Sequence, residues 1–317
     1  MLIKFIPFVF VILWSSGFVG ARFGLQYAEP ATLLSLRMIA NVLSIAGTDP
    51  TGGAGIQADL KTFAALGCYG MTAITALTAQ NTLGVSAIHG VPPEMLKAQL
   101  CAVFDDIGVD AVKIGMLHAP DIVRTVAWAL KHYKVQRVVL DPVMVATSGD
   151  QLITPMTVQV LVDELFPLAT VVTPNLDEAA LLLSRPIEAA HELEAAARDL
   201  LAMGAPAVLL KGGHLPGDEV ADLLVAGSGL SRRLASPRIA SRNTHGTGCT
   251  LSSAIAAHLA LGEPLEQAVV LARDYILRAI AEGADVYTGG GHGPLNHGFA
   301  PVAQIKKPPV SPSAPPP

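Results

Sequence analysis

The chain has 317 residues, 51% hydrophobic and 15% charged, which is enough apolar material for a large core and excludes a disordered chain. Twenty-one Lys and Arg residues against 26 Asp and Glu residues give a formal net charge of −5, which lacks the basic excess of a nucleic-acid-binding protein. Three scattered cysteines, Cys68, Cys101 and Cys249, form neither a disulfide framework nor a Cys-x-x-Cys metal site, so we expect a cytoplasmic protein.

The first predicted element is a hydrophobic segment at residues 1–40. Residues 5–21 carry no charge, but this run is at the short end for a membrane-spanning helix, and it contains Pro7. Residues 8–40 resemble the first helix and turn of an EamA-type drug/metabolite transporter. One helix cannot form a transporter. The segment is therefore a membrane anchor, a fusion accident, or untranslated sequence ahead of a start at Met38; membrane contact is expected only if it is expressed.

From residue 41 onward, short β-branched runs alternate with helical patterns. This alternation predicts an α/β fold with a mainly parallel central sheet and helices on both faces. The predicted strands are residues 42–46, 71–78, 85–89, 111–116, 137–141, 170–173 and 207–211. The predicted helices are residues 56–66, 93–106, 121–132, 155–165, 187–203, 250–261 and 265–281. We expect a domain at residues 41–301 and a disordered, proline-rich tail at residues 302–317.

The strongest local motif lies at residues 243–250, NTHGTGCT, directly ahead of an apolar helix. Glycines allow successive backbone N–H groups to point into one concavity, and the helix N-terminus adds positive charge. The motif therefore predicts an anion hole. Cys249 lies in the first turn of the helix, where a thiol pKa is expected to fall below about 8.5. The alternative is an ordinary glycine loop with a buried cysteine.

A second glycine-rich loop, GTDPTGGAG, occupies residues 47–55 after the first predicted strand. Ligands bind at the carboxyl ends of strands in open α/β sheets, which makes this loop a candidate binding element. Its Gly-x-Gly-x-x-Ala pattern also matches dinucleotide-binding enzymes. That interpretation fits poorly, because the pattern begins several residues after the strand and no acidic residue closes the second strand.

Polar residues also follow several other predicted strands, where they would converge on one crevice. They are Gln80, Lys113, Asp141, Thr173, Asn175, Glu178, Lys211 and His214. Asn175 and Glu178 also fit the alternative of a helix capping box. The sequence has no P-loop pattern, so nucleotide phosphates would need another cradle. His292 and His297 lie in a Gly- and Pro-rich loop, which favours surface turns over a metal pair.

In combination these motifs resemble the bifunctional hydroxymethylpyrimidine and phosphomethylpyrimidine kinases of thiamine biosynthesis, which have a ribokinase-like fold. The resemblance covers residues 41–301. The matching stretches are LSIAGTDPTGGAGIQADLKTFAALGCYG, ITALTAQNT, AVKIGML, DPVMVATSGD, TPNLDEA, LLKGGHL, NTHGTGCTLSSAIAAHLA and GHGPLNH. One departure is Thr147, where many relatives carry a lysine that would reach the ATP phosphates.

The resemblance implies ATP and Mg²⁺ as cofactors and assigns roles to individual positions. The pyrimidine is expected to contact Gly47, Ala54, Asp59, Gln80, Met116 and Val143. Asp141, Thr173 and Glu178 are expected near Mg²⁺, and Asn175 and Lys211 near the nucleotide. The expected catalytic residues are Gly246, Thr247, Gly248 and Cys249, of which Cys249 stands where related sugar kinases have a catalytic aspartate.

The implied reaction phosphorylates 4-amino-5-hydroxymethyl-2-methylpyrimidine to its monophosphate and then to its diphosphate. A Cys249 thiolate would act as base in the first step, whereas the ionised phosphate nucleophile of the second step needs a base much less. Two alternatives stay open: a pyridoxal kinase of the same superfamily, and a membrane-tethered pyrimidine-binding protein without catalysis. A homodimer is also left open, and no nucleic acid partner is expected.

Overall fold

The computed structural model describes residues 39–144, 153–213 and 215–305. The transporter-like segment up to residue 38, Thr147, His214 and the tail from residue 306 lie outside the described residues, so the expectations about them stay predictions. Among the described residues, no helix combines the length and apolar character needed to cross a membrane.

The central sheet is mainly parallel, as the sequence predicts. Its strands are β1 (Asn41–Ala46), β2 (Tyr69–Ile74), β5 (Ala111–Ile114), β6 (Val138–Leu140), β7 (Val171–Val172), β8 (Ala207–Leu210), β9 (Glu219–Ala226) and β10 (Ser231–Pro237). Their spatial order is β10-β9-β8-β7-β6-β5-β1-β2, and only β9 and β10 run antiparallel to their neighbours. The strands β3 (Ala76–Asn81) and β4 (Gly84–Gly90) form a separate antiparallel hairpin.

The helices are α1 (Gly55–Ala65), α2 (Pro93–Asp106), α3 (Pro120–His132), α4 (Pro155–Leu165), α5 (Leu176–Leu183), α6 (Leu193–Ala202), α7 (Thr247–Ala260) and α8 (Leu265–Ala281). They cover both faces of the sheet. Side chains from α2 to α6 form one apolar cluster, and side chains from α1, α7 and α8 form the other. Alternate residues of β1 enter opposite clusters, Leu43 the first and Val42 the second, as the pleat of a strand requires.

Burial of these strands explains why they read as continuous apolar runs. All six residues of β1 and all four of β8 are buried, which is the pattern of a parallel sheet covered on both faces. Each fully buried Leu, Val or Ile contributes about 1.5–3 kcal/mol relative to an exposed one. The loops that follow the carboxyl ends of these strands are therefore held in place by a rigid, buried sheet.

The predicted strand at residues 71–78 is wrong in one respect: the chain leaves the sheet at Thr75 and enters the hairpin. Thr75 is fully buried, and its Oγ1 donates to the carbonyl of Met116 at 2.7 Å. The predicted strand 85–89 is accordingly the second arm of the hairpin rather than part of the central sheet. The strands β9 and β10 were not predicted, although β10 alternates exposed and half-buried residues, which is a strand pattern.

Candidate active site

A cavity of about 650 Å³ opens at the carboxyl edge of the parallel strands. Both glycine-rich loops line it, together with the inner side of the hairpin and the start of α5. The cavity-lining residues include Gly47, Ala54, Gln80, Met116, Val143, Asp141, Asn175, Glu178, Lys211, Gly246, Thr247, Gly248 and Cys249. The structure therefore brings together thirteen of the fifteen residues to which the resemblance assigns a role, and it places the other two, Asp59 and Thr173, behind the cavity wall.

The anion hole predicted at residues 243–250 forms the head of α7. Gly246 is the N-cap of the helix and has φ +84°, a left-handed conformation that favours glycine. A Cβ at Gly246 would collide with the carbonyl oxygen of Gly53, because the two glycine-rich loops pack directly on each other. The amides of Gly248 and Cys249 in the first turn, with the helix dipole, create positive potential at this end of the cavity.

Lys211 supplies a full positive charge beside the hole. Its Nζ lies 2.8 Å from Oδ1 of Asp141, and it would lie 3.1 Å from a Cβ placed on Gly248. Burial lowers the pKa of the Lys211 amine, but the charges of Asp141 and Glu178 outweigh burial and raise it above its ordinary value. The amine is therefore protonated at neutral pH and adjacent to the amides of the helix.

Asp141 is an ionised carboxylate at the centre of a hydrogen-bonded group. It is 1% exposed and accepts from Thr173 Oγ1 at 3.0 Å and from Ser252 Oγ at 3.3 Å, in addition to Lys211. Burial raises its pKa, but Lys211 and Lys113 together hold the pKa below its usual range. Thr173 itself is fully buried, so it orients Asp141 and does not face the cavity.

Glu178 caps α5 and also faces the cavity. Its Oε2 accepts from the Asn175 amide at 2.8 Å, and Asn175 Oδ1 accepts from the Glu178 amide at 2.8 Å. This is the capping box that the sequence left open as an alternative, and both residues line the cavity as well. Burial and the neighbouring charge of Asp141 raise the pKa of Glu178 to about 7, despite the opposing effect of Lys211.

The pair Asp141 and Glu178 has the chemistry of a magnesium site. Mg²⁺ prefers oxygen ligands and is commonly bound by one or two carboxylates plus phosphate oxygens and water. The repulsion that raises the pKa of Glu178 would be relieved by a cation between the two carboxylates. No cluster of three or more His, Cys, Asp or Glu side chains suited to a metal occurs in the described part of the chain, so phosphate oxygens would have to complete the ligand set.

The expected low pKa of Cys249 is wrong. Burial raises the pKa of the thiol to about 11, and the charges of Asp59 and Asp141 add to the effect. Lys113 and the amide of Gly55 favour the thiolate but do not compensate. The position at a helix N-terminus is as predicted, yet desolvation outweighs the helix dipole at this site. Cys249 is therefore a neutral thiol at physiological pH.

Asp59 lies beneath the cavity in a buried ion pair. Both of its oxygens accept from Lys113 Nζ at 2.9 Å, and the two side chains are completely buried. Ser44 Oγ donates to Oδ2 at 2.5 Å, and Ser253 Oγ donates to Oδ1 at 2.7 Å. The carboxylate thereby ties β1, α1, β5 and α7 together, and its oxygens are directed at protein groups rather than at the pyrimidine contact that the resemblance implies.

Part of the cavity lining suits a ring. Gln80, Met116 and Val143 belong to this lining, and Gln80 follows an irregularity in the hairpin between Ala79 and Gln80. Gly47 allows a close approach, since a Cβ there would lie 2.8 Å from Cε of Met116. An amide beside a thioether and a valine provides one pair of hydrogen-bonding groups against apolar surface, which suits a substituted heteroaromatic ring.

Several residues at the site were not predicted from the sequence, most clearly Asp49 and His245. Asp49 is 1% exposed and accepts from Thr51 Oγ1 and from the amides of Thr51 and Ala54. His245 Nε2 lies 2.8 Å from Asp49 Oδ2. Both residues stand inside the two motifs that were recognised, but only the folded chain shows that they meet.

A second missed group lies at the far side of the cavity. Arg273 Nε donates to Asp222 Oδ2 at 2.9 Å, and Asp222 Oδ1 accepts from the amide of Gly212 at 3.0 Å. This buried pair fixes the turn that directly follows Lys211. The predicted surface position is wrong for His297, which is 5% exposed and packs against α7 with its Nε2 2.9 Å from Thr250 Oγ1.

Comparison with known proteins assigns the class and then the family. Residues 49–296 match the family Phosphomethylpyrimidine kinase. The hydroxymethylpyrimidine/phosphomethylpyrimidine kinase of Rhizobium meliloti is 54% identical over 82% of this chain and 97% of that protein. The crystal structure of a phosphomethylpyrimidine kinase from Clostridium difficile has a TM-score of 0.67 at 43% identity and covers 76% of this chain and 99% of that one. A pyridoxal kinase from Staphylococcus aureus, solved with pyridoxal and AMP-PCP, has a TM-score of 0.75 at 34% identity and covers 82% and 94%.

The fold and the site thus define a small-molecule kinase with a ribokinase-like architecture. The chain belongs to the phosphomethylpyrimidine kinase family, which confirms the family resemblance drawn from residues 41–301. The transporter-like resemblance of residues 8–40 lies outside the family match and stays a prediction.

Proposed function

We propose that the protein transfers the γ-phosphoryl group of ATP to 4-amino-5-hydroxymethyl-2-methylpyrimidine and then phosphorylates the product again to the diphosphate. One observation carries this proposal: Gln80, the amide hole of Gly246–Cys249 and the amine of Lys211 all line the same cavity. A ring held at Gln80 would present its hydroxymethyl group to the same hole that receives the phosphoryl group.

Charge stabilisation is the principal task of such a site. Phosphoryl transfer spreads negative charge over the equatorial oxygens, and positioning and electrostatics supply most of the catalysis. The amides of Gly246, Gly248 and Cys249 would meet that charge from the helix end, and the Thr247 amide would join them only by leaving the Thr244 carbonyl, to which it donates at 3.3 Å. Lys211 would meet it from the side, since its amine stands next to Gly248.

Asp141 and Glu178 would hold Mg²⁺ together with phosphate oxygens of the nucleotide. When bound, the ion neutralises charge on the phosphates and aligns them with the acceptor. In its absence Glu178 takes up a proton near neutral pH, because its pKa is raised to about 7. Thr173 and Lys211 keep Asp141 oriented in either case.

Cys249 would take part as a thiol rather than as a preformed thiolate. Its pKa of about 11 leaves only a small ionised fraction at neutral pH. The loose transition state of phosphoryl transfer makes little demand for a base until late in the reaction. We therefore assign the larger part of the acceleration to the amides and Lys211, and the smaller part to Cys249.

The nucleotide would lie along the wall that starts at Lys211 and Gly213. The apolar side chains Val220, Ile239, Ile276 and Ile280 line this part of the cavity and would pack against a purine ring. Arg238 holds the turn below them, with hydrogen bonds to the carbonyls of Gly213, Leu215 and Gly217. The nucleotide assignment of Asn175 and Lys211 is consistent with this direction.

The test is ADP release coupled to a reporter reaction, with three acceptors offered separately. We expect turnover with hydroxymethylpyrimidine and with its monophosphate. Pyridoxal is the second candidate, because pyridoxal kinases are among the structural relatives at 34–38% identity. A higher kcat/KM for pyridoxal than for both pyrimidines would replace the proposed function, and no acceptor-dependent ADP release at all would favour the non-catalytic alternative.

A further inference from the structure

His245 is a cavity residue to which the proposed reaction gives no task. It stands at the centre of the site: its side chain is 8% exposed, and its Nε2 lies 2.8 Å from Oδ2 of Asp49. Its backbone N–H donates to the carbonyl of Gly293 at 3.1 Å. The ring also packs on Gly53 so closely that a Cβ there would lie 2.6 Å from Cδ2 of His245. The imidazole is therefore held in one place from three directions.

The ionisation of Asp49 determines whether Nε2 of His245 is a hydrogen-bond donor or an acceptor. Burial raises the pKa of Asp49, but hydrogen bonds from His245, from Thr51 and from the amide of Ala54 outweigh it and lower the pKa to about 2. At neutral pH Asp49 is a carboxylate, which accepts hydrogen bonds and has none to donate. His245 must therefore carry a hydrogen on Nε2 and donate it to Asp49.

Gln80 lies on the other side of the same nitrogen. The amide nitrogen Nε2 of Gln80 is 3.4 Å from Nε2 of His245. Because the His245 nitrogen is already a donor to Asp49, it cannot accept a hydrogen from Gln80. The Gln80 amide N–H is thus left without an acceptor on this side, inside a cavity where a bound ring would provide one.

The hairpin that carries Gln80 is tied down independently of His245. Thr78, two residues before Gln80, exchanges two hydrogen bonds with Thr48: its amide donates to Thr48 Oγ1 at 3.0 Å, and its Oγ1 donates to the Thr48 carbonyl at 2.8 Å. At the tip, Thr82 Oγ1 accepts from the amide of Gly291 at 3.1 Å. The backbone position of Gln80 is therefore set by these bonds, and His245 acts on the end of its side chain.

We propose that His245, fixed as a donor by Asp49, is a positioning and specificity residue that denies Gln80 an internal acceptor and so reserves the Gln80 amide N–H for a ring nitrogen of the substrate. This inference rests on the proposed function, since it takes the ring to bind at Gln80. It adds a rule of selection: the site prefers a heteroaromatic ring that presents an unprotonated nitrogen to Gln80 over a ring with C–H at that place.

The experiment compares hydroxymethylpyrimidine with its two deaza analogues, in each of which one ring nitrogen is replaced by C–H. KM and kcat are measured for the wild type, His245→Leu, His245→Gln and Gln80→Ala. His245→Gln retains an N–H donor within reach of Asp49. His132→Leu is the matched control, because His132 is exposed at the end of α3 and stacks on Trp128, away from the cavity.

In the wild type, one deaza analogue should have a KM about tenfold above that of the pyrimidine, which corresponds to the loss of one hydrogen bond to an otherwise unpaired donor. In His245→Leu the Asp49 carboxylate loses its histidine donor and can accept the Gln80 amide N–H instead. The ratio should therefore fall to less than about threefold and the KM for the pyrimidine should rise, while the KM for ATP should stay within about twofold. His245→Gln should restore most of the ratio. In a Gln80→Ala background, His245→Leu should have no further effect on the ratio.

The inference is overturned if His245→Leu leaves the ratio of the KM for the deaza analogue to the KM for the pyrimidine unchanged. It is also overturned if the variant lowers only kcat, or if it raises the KM for ATP as much as the KM for the pyrimidine. If His245→Leu fails to fold, the His245→Gln and Gln80→Ala variants decide the matter: His245→Gln should keep most of the ratio and Gln80→Ala should lose it, and a His245→Gln variant that loses the ratio contradicts the proposal. Failure of the proposed function is a different result: the wild type would then release no ADP with the pyrimidine itself.

Discussion

The amine of Lys211 and the carboxylate of Asp141 lie 2.8 Å apart beside the amide hole. The amine is the group that faces the cavity, and the carboxylate is held by the protein. Lys211 is 13% exposed in its side chain, and Asp141 is 2% exposed. The hydroxyl groups of Thr173 and Ser252 donate hydrogen bonds to Asp141 from the protein interior. The lysine can therefore turn its remaining N–H groups toward a phosphoryl group without leaving its partner.

Lys211→Met should lower kcat for both phosphorylations by about 10²–10³, because one preorganised charge that faces the transferred phosphoryl group is lost. The KM for the pyrimidine should change by less than about threefold, since the ring end is untouched. Steady-state kinetics with each acceptor measure both values. Lys131→Met serves as the control, because Lys131 pairs with Glu164 on the exposed surface. A Lys211 variant with normal kcat would remove the amine from the transition state.

Gly246→Ala should abolish the hole. The residue has φ +84°, and a Cβ would collide with the carbonyl of Gly53, so the two glycine-rich loops would have to separate. Gly262→Ala is the matched control. Gly262 has φ +101° and no atom within 4 Å of the new Cβ, so the substitution costs only the backbone strain of about 1–2 kcal/mol. Thermal unfolding and kcat are measured for both.

We expect Gly262→Ala to lose stability and keep its kcat. Gly246→Ala should lose more stability than the control, and its kcat should fall by at least about 10² in the fraction that stays folded. Equal kcat in the two variants would mean that the amides at the head of α7 do not contact the reacting phosphoryl group.

Cys249→Ala should slow the first phosphorylation by less than about tenfold, because a thiol with a pKa of about 11 is not a general base near neutral pH. Because its pKa is raised, the thiol stays protonated and neutral at every pH well below that pKa. Iodoacetamide should accordingly modify Cys249 slowly at about pH 8 in protein without ligands. The peptide that contains Cys101, which is half-buried like Cys249, serves as the internal reference in the mass spectrum.

The opposite result for Cys249 is equally clear. A loss of about 10² or more that is confined to the first step, with the second step spared, would restore the thiolate as base. Rapid alkylation that ATP and Mg²⁺ prevent would point in the same direction, since it would require an ionised thiol in the free enzyme.

Glu178→Gln should stabilise the protein at high pH. The pKa of Glu178 is raised from 4.5 to about 7 in the folded state, so the native state holds a proton that the unfolded state has released. The stabilising contribution of the protonated carboxyl is complete below about pH 4.5 and is lost as pH rises through about 7. A neutral Gln does not incur this loss. Urea unfolding in the absence of nucleotide and Mg²⁺ should therefore favour Glu178→Gln over wild type more at about pH 8 than at about pH 5.

The same variant should weaken Mg²⁺ use, because one of the two carboxylates is gone. The Mg²⁺ concentration for half-maximal activity should rise about tenfold or more. A stability difference that does not change between the two pH values would contradict the raised pKa, and an unchanged Mg²⁺ requirement would remove Glu178 from the proposed ligand set.

The sequence predicts the architecture well where the signal is local. The apolar runs of β1 and β8 and the presence of α7 after the glycine-rich motif all follow from residues within a few positions of one another, although α7 begins at Thr247 rather than at the predicted residue 250. The hairpin is harder, because the break at Thr75 depends on a hydrogen bond to Met116, 41 residues away. Residues 71–78, MTAITALT, carry β-branched residues on both sides of the break, so the local sequence does not reveal it.

The chemistry of the site is less predictable, because it depends on contacts between distant parts of the chain. Asp49 and His245 are 196 residues apart, and neither motif by itself indicates the other. The predicted pKa of Cys249 was wrong for a related reason. The helix N-terminus is visible in the sequence, but the burial of the thiol and the approach of Asp59 and Asp141 are not. The resemblance assigned Asp59 to the substrate, whereas in the structure Asp59 of α1 pairs with Lys113 of β5, 54 residues away.

The central claim is that one cavity carries a pyrimidine through two successive phosphorylations. The direct measurement follows ADP and phosphorylated pyrimidine together, by chromatography, in a reaction with excess ATP and Mg²⁺. The account predicts that the monophosphate forms first, that the diphosphate replaces it, and that about two ADP appear per pyrimidine consumed. Pyrimidine that stays unphosphorylated, or a reaction that stops at the monophosphate while pyridoxal is consumed faster, would contradict it.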